Sequence, residues 1–550
     1  MPALTVASLA LQKDESLHTL LKRCAGLSFA SPAAIRQYHD LLLFALAYPI
    51  DEKMRQEAEA ELNRLSLFLK KVAEGRNQRL QAALSGAAIA YTELAGAYSL
   101  SLTQWLAKRF EGHVSLESGE SDPETVRNTL QALLPGIEYQ HSTQGEPGLA
   151  ARLRLLCGAS DPVKQLEWLL RLFEQWQAPG LIKEECWRQL KIFTRWKLAS
   201  ASDSRTGMAL PVRKIYYHPG ISRGADCRKL ISQQLGNHIP LNPAQINHLH
   251  DVMKASLAFQ HRETDPVTYA DPAETFLFDM SRGLQIAVCG MTRDRRLSLE
   301  SYIGFMAFKN GVPVSYGGGW LWGSRCKIGV NIYPPFRRGE SAWLFSQVMR
   351  VYYQQYSARY FTVKPYQFGK GNPEGLASGA FWFYYKLGFR PEQATIKQLA
   401  NDEWEKIQAD KAYRTPLATL RRFTHSNLEW TLTGPASPSF DASKISQAVT
   451  RMINLQFGGS REHAIKQLGK RFRKICKFSL SNRKNPATAA VLANWSLLTG
   501  LIPDLPQWSR EEKKQLARLV QLKANGKEKE YVLALRHHDR LWLSLTAALR

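Results

Sequence analysis

Two short stretches between Ser301 and Pro391 hold residues whose types and order suit chemistry. The first runs Tyr333-Pro334-Pro335-Phe336-Arg337-Arg338-Gly339-Glu340-Ser341-Ala342. Two prolines force a turn at the end of an alternating run, and the residues after them open a helix. A helix start offers unpaired backbone N–H groups and the positive end of the dipole, so with two arginines beside it this stretch has the make-up of an anion cradle. The second is Ser378 to Phe389, SGAFWFYYKLGF, an aromatic helical pattern carrying the hydroxyls of Tyr384 and Tyr385. A phenol with a pKa of about 10 stays protonated near neutral pH and can serve as a proton donor. Other features carry less. Ser315-Tyr316-Gly317-Gly318-Gly319-Trp320 lacks the Lys-Ser or Lys-Thr pair of a phosphate loop and reads as a glycine-rich strand end or bulge. His537-His538 has no partner at ligand spacing and reads as exposed helix surface, and the 7 cysteines are scattered, so no metal site or disulfide framework is indicated.

The elements that must position these stretches are legible around them. Tyr302 to Phe308 and Val312 to Tyr316 flank Lys309-Asn310-Gly311, and Asn-Gly between apolar runs predicts a hairpin. Lys327 to Tyr333 sets Ile328, Val330 and Ile332 against Lys327, Gly329 and Asn331, which is a strand with two faces. Glu340 to Tyr356 carries Leu344, Phe345, Val348, Met349 and Tyr352 at helical spacing. Tyr360 to Val363 restarts a strand, and Asn372-Pro373-Glu374 supplies the cap, proline and acid of a helix that ends at Gly388. Upstream, Val212 to Tyr217 is strand-like, Pro243 to Phe259 helix-like, and Leu284 to Cys289 a short apolar run.

The first 200 residues read as helical, with two helices broken at Tyr48-Pro49-Ile50 and further patterns over Tyr91 to Phe110, Val163 to Trp176 and Lys183 to Leu198. Ser200 to Gly207 has the composition of a linker, and from about Ala400 the chain reads helical to Arg550 with a break at Gly434 to Pro438. The expected class is α+β: a central mixed sheet at residues 205–395 between helical regions at 1–200 and 396–550.

At 550 residues and 44% hydrophobic content the chain can bury more than one core. No stretch approaches the roughly 20 apolar residues of a membrane span, and the first residues lack a basic segment followed by an apolar run, so a cytoplasmic protein is expected. The net charge of +25 divides into −3 for residues 1–150, +15 for 151–391 and +13 for 392–550. A basic excess of this kind suits phosphate-rich ligands, nucleic acid or anionic surfaces.

Over Leu284 to Pro391 the chain resembles the GNAT superfamily of N-acyltransferases. The order of hairpin, strand, cofactor loop, helix, strand and helix is the family's, and Phe383-Tyr384-Tyr385-Lys386-Leu387-Gly388-Phe389 matches its closing motif. The family's loop pattern is Gln or Arg, two residues, Gly, one residue, then Gly or Ala. Anchored on Gly339 it begins at Phe336 and ends at Ser341; anchored on Arg337 it ends at Ala342 and places Glu340 at the glycine. The resemblance implies direct transfer of an acyl group from acetyl-coenzyme A or another acyl-coenzyme A to an amine acceptor, without a metal. It implies a pantetheine arm along Ile328 to Tyr333, including Ile332 and Tyr333, and pyrophosphate over Arg337, Arg338, Gly339, Glu340, Ser341 and Ala342, with Asn372 nearby. Tyr384 would face the thioester sulfur. The strand carboxylate that serves as base in many members is absent, so Asn331 holding a water, Glu300 or Glu374 are the candidates for that role.

A basic run from Arg461 to Lys484 contains Lys466, Lys470, Arg471, Arg473, Lys474, Lys477 and Arg483 around an apolar stripe of Ile465, Leu468, Phe472 and Ile475. It reads as an amphipathic basic helix that either packs on the protein or meets nucleic acid or another anionic partner. The identity of the acceptor amine is not encoded in these residues; a macromolecule that is acidic or bears nucleic acid is one option that the basic surface leaves open. The alternative is an inactive GNAT-like domain in a basic interaction protein.

Overall fold

The computed structural model describes residues 3–9, 16–75, 77–139, 148–222, 224–432, 442–478 and 485–549. Helix α1 (Pro32–Ala47) stops at Tyr48, and α2 (Glu52–Glu74) begins from an Asp51 cap, so the break falls where Pro49 denies a helical N–H. The rest of this region is not all helix. Strands β1 (Glu93–Gly96), β2 (Val114–Gly119) and β3 (Ile192–Lys197) form an antiparallel sheet in the order β1-β3-β2. The helical pattern read over Lys183 to Leu198 ends at Leu190; Lys191 takes a left-handed φ of 48°, and the chain leaves as a strand that buries Ile192, Thr194 and Trp196. Both periods are present in those residues, and the partners β1 and β2 decide between them. Tyr91 to Phe110 divides likewise into β1 and a helix, Leu100–Arg109.

The main sheet has nine strands: β4 (His238–Ile239), β5 (Ala270–Asp279), β6 (Leu284–Met291), β7 (Ser301–Lys309), β8 (Val312–Trp322), β9 (Arg325–Ile332), β10 (Tyr360–Val363), β11 (Arg390–Pro391) and β12 (Leu428–Thr431). Their order is β11-β12-β10-β9-β8-β7-β6-β5-β4. Every pairing is antiparallel except β9 with β10, which run parallel because α3 (Ser341–Gln355) crosses between them. Asn310 and Gly311 both take positive φ, 47° and 83°, and close the β7–β8 hairpin as their types require. The fold is therefore mixed α+β around a large mixed sheet.

Five local expectations change. Val212 to Tyr217 joins neither sheet; its Tyr216 N–H instead donates to Asn310 Oδ1 at 2.9 Å. The region after Ala400 is not purely helical, because Leu428 and Trp430 are buried in β12 beside β10. The helix expected from Asn372 to Gly388 is two: Pro373–Ala377, then α4 (Ala380–Lys386), separated by Gly379 at φ 64°. The buried residues of α4 are accordingly Phe381, Tyr384 and Tyr385, while Phe383 is only partly covered. His538 is buried, accepting at Nδ1 from Leu541 N–H as a helix cap, with Nε2 3.2 Å from the Glu512 carbonyl. The break expected at Gly434 to Pro438, with Arg483 and Lys484, lies outside the described residues. Ser200 to Gly207 is a tied turn: Ser204 is buried and Arg205 pairs with Asp40 at 2.7 Å. No described helix is long and apolar enough to cross a membrane.

Candidate functional site

The parallel pair is short. Arg325, Cys326 and Lys327 of β9 face Tyr360, Phe361 and Thr362 of β10, and beyond Lys327 the strands part. From Ile328 to Ile332, β9 keeps β8 on one side and has an open edge on the other. Gln367 packs over Gly329, where an added Cβ would lie 2.7 Å from its Nε2.

Tyr384 comes to the same place from α4. Its ring is packed by Phe345, Phe383 and Phe389, and its hydroxyl is turned to the Val330 backbone. Burial pushes this phenol well above its ordinary range, against the smaller opposing pull of the Val330 backbone. It is a group that holds its proton at neutral pH, so it can donate a hydrogen bond and does not act as a base. Asn331 is exposed one residue further along, opposite Tyr316 on β8. Ile332 is partly buried, and Tyr333 is buried with its hydroxyl unpartnered and its ring 5.4 Å from that of Tyr316.

The loop after β9 is built differently from an open cradle. Pro334–Phe336 forms one 3₁₀ turn, and Arg337 reaches back to the Ile332 carbonyl at 3.3 Å and across to Glu374 at 2.5 Å. Arg338 is exposed. Gly339 is covered by Tyr48 of the α1 terminus, whose ring would stand 2.6 Å from an added Cβ. Ser341 spends its hydroxyl on the Arg337 carbonyl, and Ala342 is partly buried in the first turn of α3. Asn372 caps the Pro373–Ala377 helix through Gly375 N–H and donates to the Tyr366 carbonyl. Both carboxylates weighed as bases are in ion pairs, Glu300 with Lys327 at 2.8 Å and Glu374 with Arg337.

Glu340 departs most from its expected place in the loop. Its carboxylate is fully buried, accepting from Lys309 Nζ at 2.9 Å, from Arg282 Nε at 2.9 Å and from Ser222 N–H at 3.2 Å, with His218 Nδ1 at 4.0 Å. Burial alone would raise this carboxyl, but the bonds from Arg282 and Lys309 outweigh it and hold it below the usual range. Burial likewise lowers Lys309 to about 8 despite the nearby carboxylate, and lowers His218 to about 3 with help from Lys309. The charge of Glu340 is thus neutralised from within, and two cations face it instead of a ligand. Sequence reasoning missed this cluster, because a lysine in a Lys-Asn-Gly turn signals solvent until another part of the chain covers it.

Cavities lie elsewhere in the molecule. One of about 750 Å³ is lined by Tyr98, Glu184, Trp187, Asp265, Tyr269 and Arg295, and one of about 940 Å³ lies against the three-stranded sheet beside Glu93, Glu117 and Arg195. Among their acids, Glu184 accepts from the Leu100 and Ser101 N–H groups and the Tyr269 hydroxyl, Arg195 links Glu93 to Glu117, and burial holds the Asp265 carboxyl above its ordinary range. Among the described residues no cluster of His, Cys, Asp and Glu has the arrangement of a metal site. No protein-family model matches this chain, and neither does a curated protein or a solved structure.

Proposed function

We propose that this chain is an N-acyltransferase that moves an acyl group from an acyl-coenzyme A thioester directly to an amine. The observation that carries the reading is the parting of β9 from β10 at Ile328 with the Tyr384 phenol set against Val330. An open strand edge offers N–H and C=O groups to an amide-bearing pantetheine arm, as a peptide adds to a sheet. The neutral amine nitrogen attacks the thioester carbonyl, the carbon–sulfur bond breaks, and Tyr384 gives its proton to the departing thiolate and takes one back from solvent. The amine proton leaves through solvent or a water held at Asn331. Holding thioester and amine together supplies the greater part of the acceleration, up to roughly 7 to 11 kcal/mol. Arg337 and Arg338 are the groups available for the pyrophosphate, Arg337 by exchanging Glu374 for the ligand.

A second reading is favoured by one specific observation. Glu340 is buried and Tyr48 covers Gly339, which narrows the surface left for pyrophosphate and fits a GNAT-like domain without cofactor. Calorimetric titration of the full chain with acetyl-coenzyme A and longer acyl donors separates the two. Binding is expected, to be lost in the double variant Arg337→Glu/Arg338→Glu and kept in Tyr384→Phe, which should slow transfer by about 10²- to 10⁴-fold. Absence of heat with every donor would sink the acyltransferase reading.

A further inference from the structure

The C-terminal helices carry a different chemistry. Residues 442–550 contain 21 Lys and Arg against 7 Asp and Glu, a net +14. Helix α5 (Arg461–Cys476), capped by Ser460, buries Ala464, Leu468, Phe472 and Cys476, one residue per turn along a single face. The opposite face exposes Lys466, Lys470 and Lys474 at the same spacing, with Lys477 just past the end. Four residues of helix rise about 6 Å and overshoot one turn by about 40°, so these lysines form a gently winding row. None of the four has an ion pair among the described residues. Of the acids on these helices, Asp504 pairs with Arg540 and Glu512 closes a capping box with Ser509, while Glu462 stands in the first turn of α5, four residues before Lys466. The neighbouring helix α6 (Arg510–Asn525) exposes Arg510, Lys514 and Arg518 at the same four-residue interval.

The inward-facing cations of these helices are used to hold the unit together. Arg471 donates to the carbonyls of Ile502 and Pro503, and Lys513 to that of Pro506, so one loop is held from both helices. The outward rows have no such work.

We propose that the Lys466–Lys470–Lys474 row of α5, extended by Lys477, docks the phosphate backbone of double-stranded nucleic acid without reading its sequence. The inference is independent of the acyltransferase reading. Three features select this partner. A lipid surface would need an apolar face to insert, and the apolar face of α5 is buried in protein. Unpaired bases would need exposed rings to stack on; Phe472 is buried and α6 has no aromatic residue. Regularly spaced ammonium groups on a stiff helix match a regular line of phosphates, which they contact by charge alone.

The test uses the full chain with short labelled duplexes of DNA and of RNA, a single strand of the same length, and phosphatidylserine vesicles, between about 50 and 200 mM salt. Duplex binding is expected to weaken linearly in log–log form with salt, and the DNA and RNA arms show which duplex is preferred. Lys466→Glu/Lys470→Glu/Lys474→Glu should bind at least about tenfold more weakly and lower the salt slope by about 2 to 3. The milder Lys→Gln triple variant should move both in the same direction with an unchanged thermal melt, which separates lost contacts from lost folding. The proposal is overturned by absence of salt-dependent duplex binding, by an unchanged slope in both variants, or by tighter binding to the single strand or the vesicles than to either duplex.

Discussion

Arg337 and Glu340 stand three residues apart in one loop, and each forms an ion pair with a distant part of the chain. Arg337 meets Glu374 in solvent, with half-exposed side chains on both sides, while Glu340 meets Lys309 and Arg282 where its own exposure is 0%. The first pair can be exchanged for a ligand at little cost, since an exposed pair contributes about 0 to 1 kcal/mol. The second cannot, because removing one member strands a charge in a low-dielectric interior. A loop that reads in sequence as one anion site is therefore half available surface and half internal structure.

The largest effect should come from breaking the buried half. Glu340→Ala leaves Lys309 and Arg282 facing each other unpaired, and denaturant unfolding should show a loss of about 3 to 5 kcal/mol. Adding Lys309→Met to that variant should recover part of the loss; no recovery would mean that Glu340 matters for shape and not charge. Next, Gly339→Ala drives a methyl group against the Tyr48 ring, which is buried and packed by Phe44 and His218. A thermal or denaturant melt should register about 1 to 3 kcal/mol.

Acid sharpens the same contrast more gently. Because the folded Glu340 carboxyl is held below its ordinary value, the unfolded chain binds more protons as pH falls below about 4.3. Its stabilising contribution is complete above that pH and is lost on further acidification, so stability measured at stepped pH should fall less steeply in Glu340→Gln than in the unmodified protein. At the exposed end, Arg337→Ala should change stability by no more than about 1 kcal/mol. A larger loss would place Arg337 in the structural half of the loop.

Much of the frame is legible without coordinates. Asn310-Gly311 demands positive φ, Ile328 to Ile332 alternates, and Leu344 to Tyr352 repeats at helical spacing; each signal is local and each element forms where those residues stand. Legibility fails where two local signals compete. Ile192 to Lys197 satisfies both a helical and a strand period, and Gly379 interrupts a helix whose flanking residues favour continuation. At the site, Tyr384 is singled out by the motif from Phe383 to Phe389, whereas Gln367 and Lys309 are not, since nothing near them in the chain marks what they touch.

The helix starts, the hairpin, the alternation of β9 and the cationic row on α5 follow from the residues alone, because φ preference, side-chain period and formal charge belong to them. Only the tertiary structure decided that β9 and β10 part after Lys327, that Tyr48 closes over Gly339, and that Glu340 turns inward to Lys309 and Arg282. The physical reason is that burial and ion pairing are set by whichever distant segment comes to lie alongside, and the charge of a carboxylate does not say whether it will meet solvent or a buried cation.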